Sequence, residues 1–134
     1  GLEMNLKVSI FILLSVVSLM ANANEITYAE LKTKVLNQLP IMTDAQIGEY
    51  YKTFIGKKVN WSGRVLNVDK NWLDDYYTVE IDLDDDGRKD VEFEYLTKSH
   101  ALGLGKNKTY KFAGEIIYVT TILGHFYVDI SHRK

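Results

Sequence analysis

Cysteine is absent from the 134-residue chain, and this absence excludes several kinds of site at once. The protein has no disulfide, no thiolate metal ligand, and no cysteine that could accept a lipid after a leader segment. No Ser or Thr lies in a nucleophile motif, so an enzyme is not expected. The net charge of −2 gives no strong overall field toward nucleic acid or anionic lipid.

The sequence also lacks a hydrophobic run long enough to span a bilayer, which takes about 20 residues. The apolar stretch 8–20 is shorter than this and contains serines. It precedes the small-residue pattern at 21–23, an order typical of a secretory signal peptide. A transmembrane anchor is the competing interpretation. We expect residues 1–3 to be a cloning remnant, 4–23 the signal, and the mature protein to be periplasmic or secreted without stable membrane insertion.

Two sets of helix signals predict an N-terminal helical segment over residues 24–56. Thr27 and Glu30 have the spacing of a capping box, and Pro40 ends the helix that follows. A second box begins at Thr43, and we expect both helices to turn an apolar face toward the rest of the fold. These faces comprise Leu31, Val35 and Leu39 in the first helix, and Ile47, Tyr50, Tyr51 and Phe54 in the second.

From residue 57 to residue 134 the hydrophobic period changes to two, which predicts five strands. The inward-facing sets are Val59, Trp61, Gly63 and Val65; Tyr77, Val79, Ile81 and Leu83; Val91, Phe93 and Tyr95; Tyr110, Phe112, Gly114 and Ile116; and Phe126, Val128 and Ile130. Five short strands with an insert between the third and fourth are typical of an OB-fold, a partly open barrel. The predicted fold is therefore mainly β, a five-stranded OB-type Greek-key barrel preceded by one or two short α-helices.

Two stretches, Gly56 to Val65 and Ala101 to Ile116, resemble bacterial periplasmic OB-fold proteins of the tRNA-anticodon-like group. In both stretches a strand runs through a glycine. The resemblance covers roughly residues 43–132 and implies a fold rather than a function.

Members of the OB-fold class commonly hold nucleic acid or oligosaccharide across strands two and three. The outward residues of those strands in this sequence are Thr78, Glu80, Asp82, Glu92 and Glu94. Carboxylates repel phosphate, so nucleic-acid binding is not expected on this face.

The turn between strands two and three carries the sharpest motif of the chain. Asp82, Asp84 and Asp86 occupy positions one, three and five of a calcium loop, Gly87 position six and Asp90 position nine. The motif is similar to the short calcium loops of integrin-type propeller repeats. It departs from an EF-hand, because Phe93 replaces the glutamate at position twelve and no helices flank it. Calcium is therefore a candidate cofactor, bound by Asp82, Asp84, Asp86 and Asp90.

A plain acidic hairpin is the alternative for the same residues. A three-residue loop, 85–87, aligns the apolar sets and pairs Ile81 with Val91, Val79 with Phe93 and Tyr77 with Tyr95. This register also places Asp82 opposite Asp90 and Glu80 opposite Glu92. Like charges in these positions destabilise a sheet, and a bound cation would offset them. Both interpretations stay open at this point.

The functional expectation is a non-enzymatic binding module that acts through its acidic face on strands two and three, with neighbouring loops. Its candidate contacts for a cation, a basic protein surface or a saccharide are Glu80, Glu92, Glu94, Trp72 and Tyr76. The alternative is a structural subunit of an oligomeric envelope or toxin-like complex, favoured by the free strand edges of a partly open barrel. The three histidines, His100, His125 and His132, lack metal-binding spacing and are not expected to be ligands.

Overall fold

Residues 25–132 are described by a computed structural model, and the predicted cloning remnant and signal segment lie outside them. The elements are α1 Tyr28–Gln38, α2 Asp44–Lys52, β1 Lys58–Lys70, β2 Tyr77–Asp82, β3 Val91–Leu96, α3 Lys98–Leu102, β4 Thr109–Ile122 and β5 His125–Ser131. Within this part of the chain, no helix is long and apolar enough to cross a membrane.

The five strands form a closed barrel in the order β1-β2-β3-β5-β4, and β1 pairs with β4 to complete it. Only the β3–β5 pair is parallel among these five contacts. The mainly β, five-stranded prediction is confirmed, but the expected opening is wrong. β1 closes the barrel because it is long enough to pair with β4 over residues 58–64 and with β2 over residues 64–70.

Helix α1 plugs the barrel and belongs to its core. Leu31 and Val35 are fully buried, and the ring of Tyr28 meets the edge of Trp61 at 5.6 Å between centroids. The indole Nε1 of Trp61 donates a hydrogen bond of 2.9 Å to the backbone oxygen of Ile26, which fixes the chain entering the helix. The predicted capping residue is confirmed, since the side chain of Thr27 accepts a hydrogen bond from the third residue of the helix.

Helix α2 packs against β4. Its capping box at Thr43 is complete, and the hydroxyl of Tyr51 donates to Oγ1 of Thr121 at 3.0 Å. Phe54, just past the helix end, is buried, whereas the other three members of the predicted apolar stripe are half-buried. Gly56 takes the positive φ of 88° expected of a residue that ends the segment.

The β2–β3 register is predicted correctly over most of its length. Val79 pairs with Phe93, and the next two pairs toward the loop, Glu80–Glu92 and Ile81–Val91, are also formed. The predicted Tyr77–Tyr95 pair is wrong, because a bulge shifts the register. Tyr77 pairs instead with Leu96, while Tyr95 has a φ of 66°.

The predicted three-residue hairpin loop is also wrong. β2 ends at Asp82 and β3 begins at Val91, so residues 83–90 all lie outside the ladder. The physical reason is a competing set of hydrogen bonds, because side chains at both ends of the loop accept the amide N–H groups that a tight hairpin would have paired across the strands.

Candidate acidic binding sites

The acidic loop, residues 82–90, is organised around two buried carboxylates. Oδ2 of Asp82 accepts a hydrogen bond from the amide of Gly87 at 2.7 Å, and Oδ2 of Asp90 accepts one from the amide of Leu83 at 2.8 Å. Asp82 was predicted to face outward, and its burial corrects that expectation. A buried carboxylate needs a charged partner, and Nη2 of Arg64 supplies one at 2.8 Å from Asp82.

The loop brings its predicted metal-binding carboxylates together. Asp82, Asp84, Asp86 and Asp90 each offer one oxygen, and these four oxygens lie within 4.8 Å of one another. Helix α1 reaches the same cluster, because Nζ of Lys32 lies 2.8 Å from Oδ2 of Asp84.

The protonation equilibria of the cluster differ from one carboxylate to the next. Burial opposes the ionised forms of Asp82 and Asp84, but hydrogen bonds outweigh it. Donors from Gly87 and Arg64 lower the pKa of Asp82, and the ammonium of Lys32 lowers the pKa of Asp84. Burial and the neighbouring Asp84 raise the pKa of Asp90 to about 6. Of these three carboxylates, Asp90 is therefore the one whose ionised form its surroundings favour least.

One oxygen of Asp90 has no hydrogen bond. Nε2 of His125 lies 3.1 Å from Oδ1 of Asp90, but it also lies 3.0 Å from the carbonyl oxygen of Lys89, and only the contact with Lys89 has hydrogen-bond geometry. The hydroxyl of Tyr28 is likewise buried without a partner. Burial and the loop carboxylates, Asp90 foremost, raise the pKa of this phenol.

A second carboxylate cluster lies on the outer surface of β3 and β5. The parallel pairing of these strands places Glu92 beside Asp129, and one oxygen each from Glu92, Glu94 and Asp129 lies within 4.8 Å of the others. We call these three residues the acidic face. Nζ of Lys89 lies 2.6 Å from Oε1 of Glu92 and is the nearest cation that the described residues place there.

A groove of about 330 Å³ runs beside the acidic face. Its walls combine the carboxylates of Glu92 and Asp129 with the rings of Tyr118 and Tyr127, and Ile122 lies at the same surface. Tyr118 and Ile122 are more than half exposed. The groove thus combines negative charge with aromatic surface, which suits a cationic group on an apolar stem.

The acidic face is electrostatically strained. Burial, with Glu92 and Glu94 adding repulsion, raises the pKa of Asp129 to about 7, although Lys89 lowers it. Burial and Glu92 also raise the pKa of Glu94. Burial opposes the ionised form of Lys89, but the hydrogen bond and charge of Glu92 outweigh it and raise the pKa of this ammonium.

The pKa of Asp129 predicts a pH-dependent stability. Because the folded state holds this proton up to about pH 7, ionisation destabilises the fold increasingly between about pH 4 and pH 7. Asp129→Asn should therefore raise the free energy of unfolding by roughly 1–2 kcal/mol at pH 8, after screening at this half-exposed position. Urea unfolding at several pH values measures it, and a gain that does not shrink toward pH 4 would contradict the assignment.

The remaining predicted contacts lie apart or at the margin of these clusters. Glu80 pairs with Glu92 across β2 and β3 and contributes to the raised pKa of Lys89. In the β1–β2 loop, Trp72 is 87% exposed, while Tyr76 packs edge-on against Tyr95 at 5.8 Å.

Sequence reasoning missed residues that are distant along the chain. Asp129 joins the acidic face only through the parallel β3–β5 pairing, and His125 meets Asp90 at the start of the same strand. Arg64 and Lys32 reach the loop from β1 and α1. The period-two pattern of β5 did carry a signal, since it places Asp129 outward between the inward Val128 and Ile130.

No family model matches the chain, and comparison with characterised proteins finds no match. Among solved structures, the barrel is similar to the crystal structure of a lipoprotein from Klebsiella pneumoniae subsp. pneumoniae MGH 78578, described as a candidate nucleic acid-binding protein. The TM-score is 0.52 at 16% sequence identity, over 81% of this chain and 91% of that one. This similarity supports an OB-like barrel and concerns the fold alone.

Proposed function

We propose that the protein is a non-enzymatic, exported binding module that captures a basic segment of a partner protein. The observation that carries the proposal is the acidic face, where Glu92, Glu94 and Asp129 converge beside an aromatic groove. Over residues 25–132, three carboxylates within 4.8 Å of one another face a single neighbouring ammonium, that of Lys89. A second cation from outside would relieve their mutual repulsion.

The chemistry of the groove favours arginine as the anchoring residue. A planar guanidinium can bind two carboxylate oxygens at once and stack on an aromatic ring, whereas an ammonium acts as a point charge. Tyr127 already has a cation over its ring, since Nζ of Lys89 lies 6.0 Å from the ring centroid. Tyr118, 53% exposed at the same groove, offers a further ring to an incoming cation.

The same electrostatics weigh against nucleic acid at this surface. Phosphates would approach three carboxylates, and burial together with the charge of Glu92 already raises the pKa of two of them, Glu94 and Asp129. Because the similar lipoprotein is described as a candidate nucleic acid-binding protein, an oligonucleotide is the informative negative control. We expect it not to bind at the acidic face. A saccharide remains a second candidate at the β1–β2 loop, where Trp72 presents an exposed ring next to Leu73.

A labelled peptide of alternating arginine and glycine tests the proposal by fluorescence anisotropy. The double variant Glu94→Gln, Asp129→Asn should weaken its binding by about tenfold, because it removes two of the three carboxylates that would pair with a guanidinium. The control double variant Glu49→Gln, Asp75→Asn removes the same charge at exposed positions of α2 and the β1–β2 loop, and should change the affinity little. Equal weakening in both variants would contradict the proposed site.

Binding should also depend on pH. A bound guanidinium favours the ionised form of Asp129, whose pKa in the free protein is raised to about 7. The affinity for the peptide should therefore rise as the pH increases from 6 to 8, and this rise should be lost in Asp129→Asn. An unchanged pH response in that variant would show that another group controls binding.

The closed barrel removes one of the three motivations for the assembly-subunit alternative, the free strand edges, because β1 and β4 pair. The small size and the expected signal segment still favour that alternative, so it stays a prediction.

A further inference from the structure

The acidic loop holds buried polar atoms that the described residues leave without a hydrogen bond. Oδ1 of Asp90 and the hydroxyl of Tyr28 are both in this position, and their residues are 0% and 8% exposed. A buried oxygen without a partner is costly unless a water or an ion completes its environment. Lys32 links the two residues, because its Nζ lies 5.9 Å from the ring centroid of Tyr28 and 2.8 Å from Oδ2 of Asp84, which clusters with Asp90.

We infer that the acidic loop is a Ca²⁺ site and that Lys32 of α1 is a tethered competitor which the ion must displace. This inference goes beyond the proposed function, because the loop carboxylates and the acidic face have no residue in common. Asp90 also lines the groove beside the acidic face, whereas Asp84 does not, so Asp84→Asn separates the failure of one proposal from that of the other.

The spacing of the carboxylates fits calcium. Ca²⁺ binds six to eight oxygens at about 2.3–2.6 Å, so oxygens on opposite sides of the ion lie about 5 Å apart. The four loop carboxylates offer oxygens within 4.8 Å of one another, which is within that limit. Asp82 is already held by Arg64 and the amide of Gly87, so it positions the loop. Asp84, Asp86 and Asp90 supply the ligand oxygens, with Oδ1 of Asp86 also accepting a hydrogen bond from the amide of Arg88 at 2.9 Å.

The histidine beside the cluster does not turn it into a transition-metal site. His125 lies within ligand distance of Asp86 and Asp90. Its Nε2, however, faces the carbonyl oxygen of Lys89 at 3.0 Å, and a carbonyl oxygen only accepts hydrogen bonds. Nε2, the ring nitrogen 3.1 Å from Oδ1 of Asp90, therefore carries the proton and has no lone pair for a metal. The remaining ligands are oxygens, which suit Ca²⁺ better than Zn²⁺.

Lys32 occupies one of the carboxylates that the ion would need. Its Nζ lies 2.8 Å from Oδ2 of Asp84, and both side chains are about one third exposed. Because an ammonium and Ca²⁺ compete for the same carboxylate, loss of the lysine charge should strengthen calcium binding.

A titration of the protein with CaCl₂ at pH 7.5 tests the inference. The melting temperature and the ¹⁵N chemical shifts of the loop amides report binding. We expect saturable binding with a Kd of about 10⁻⁴ to 10⁻³ M. Lys32→Met should lower this Kd about two- to fivefold, the range expected for an exposed ion pair. Lys34→Met is the matched control, because it removes the same charge from an exposed position of the same helix.

Asp90→Asn should abolish the response, and Asp84→Asn, at an exposed position, provides the same test if the buried variant does not fold. Any of four results would overturn the inference: no response to 10 mM CaCl₂ in the wild type, an equal response in Asp84→Asn, an equal Kd in Lys32→Met and Lys34→Met, or a response to ZnCl₂ alone. The peptide assay on the acidic face remains interpretable in each case.

Discussion

Replacing Arg64 with methionine is expected to lower the free energy of unfolding by about 3 kcal/mol at pH 7.5, because the change leaves a buried carboxylate without its cation. Nη2 of Arg64 lies 2.8 Å from Oδ2 of Asp82, and the Asp82 side chain has no exposed surface. Methionine keeps an apolar stem of similar length, so the loss reports mainly on charge. Urea unfolding measures the difference.

Arg88→Met is the matched control for this prediction. Arg88 pairs with Asp86 at 3.4 Å, but its side chain is 69% exposed, so its loss should cost less than about 0.5 kcal/mol. The difference in free energy of unfolding between Arg64→Met and the wild type should also become smaller at acidic pH. The stabilisation from ionised Asp82 is present above its unfolded pKa of 3.8 and is lost as the pH falls through its lower folded pKa. Equal losses for the two arginines would refute the buried ion pair.

Truncation of Leu31 to alanine should destabilise the protein by about 2–5 kcal/mol, the range for a fully buried leucine. Leu31 has 0% exposed surface in the core that α1 shares with the strands. The measurement is again urea unfolding, with Leu36→Ala as the control at a half-buried position of the same helix. If Leu31→Ala costs no more than Leu36→Ala, α1 is not the plug of the barrel.

The strand pattern predicted most of the fold because a half-buried strand repeats every two residues. This period identified most of the inward residues of the five strands and the pairing of Val79 with Phe93, but it missed the buried Leu96 and Val119. It could not reveal the bulge at Tyr95, because one extra residue is decided by local hydrogen bonding and not by hydrophobicity. It also could not show that β1 and β4 are each long enough to close the barrel.

The sites were predictable only where their residues are close in sequence. The spacing from Asp82 to Asp90 indicated a cluster, which the loop does bring together. The partners that decide its chemistry come from other elements: Lys32 from α1, Arg64 from β1 and His125 from β5. Their approach depends on tertiary packing, which no local spacing encodes. Asp129 is likewise adjacent to Glu92 only because β3 and β5 run parallel.

The parallel contact between β3 and β5 also governs how the chain can reach its native state. Glu92 and Asp129 are neighbours across these strands although they are far apart in sequence, and β1 meets β4 over a similarly long separation. The chain must lose the entropy of closing both loops before these contacts can stabilise it. Folding should therefore be limited by barrel closure and take milliseconds to seconds, as in other domains dominated by non-local strand pairing.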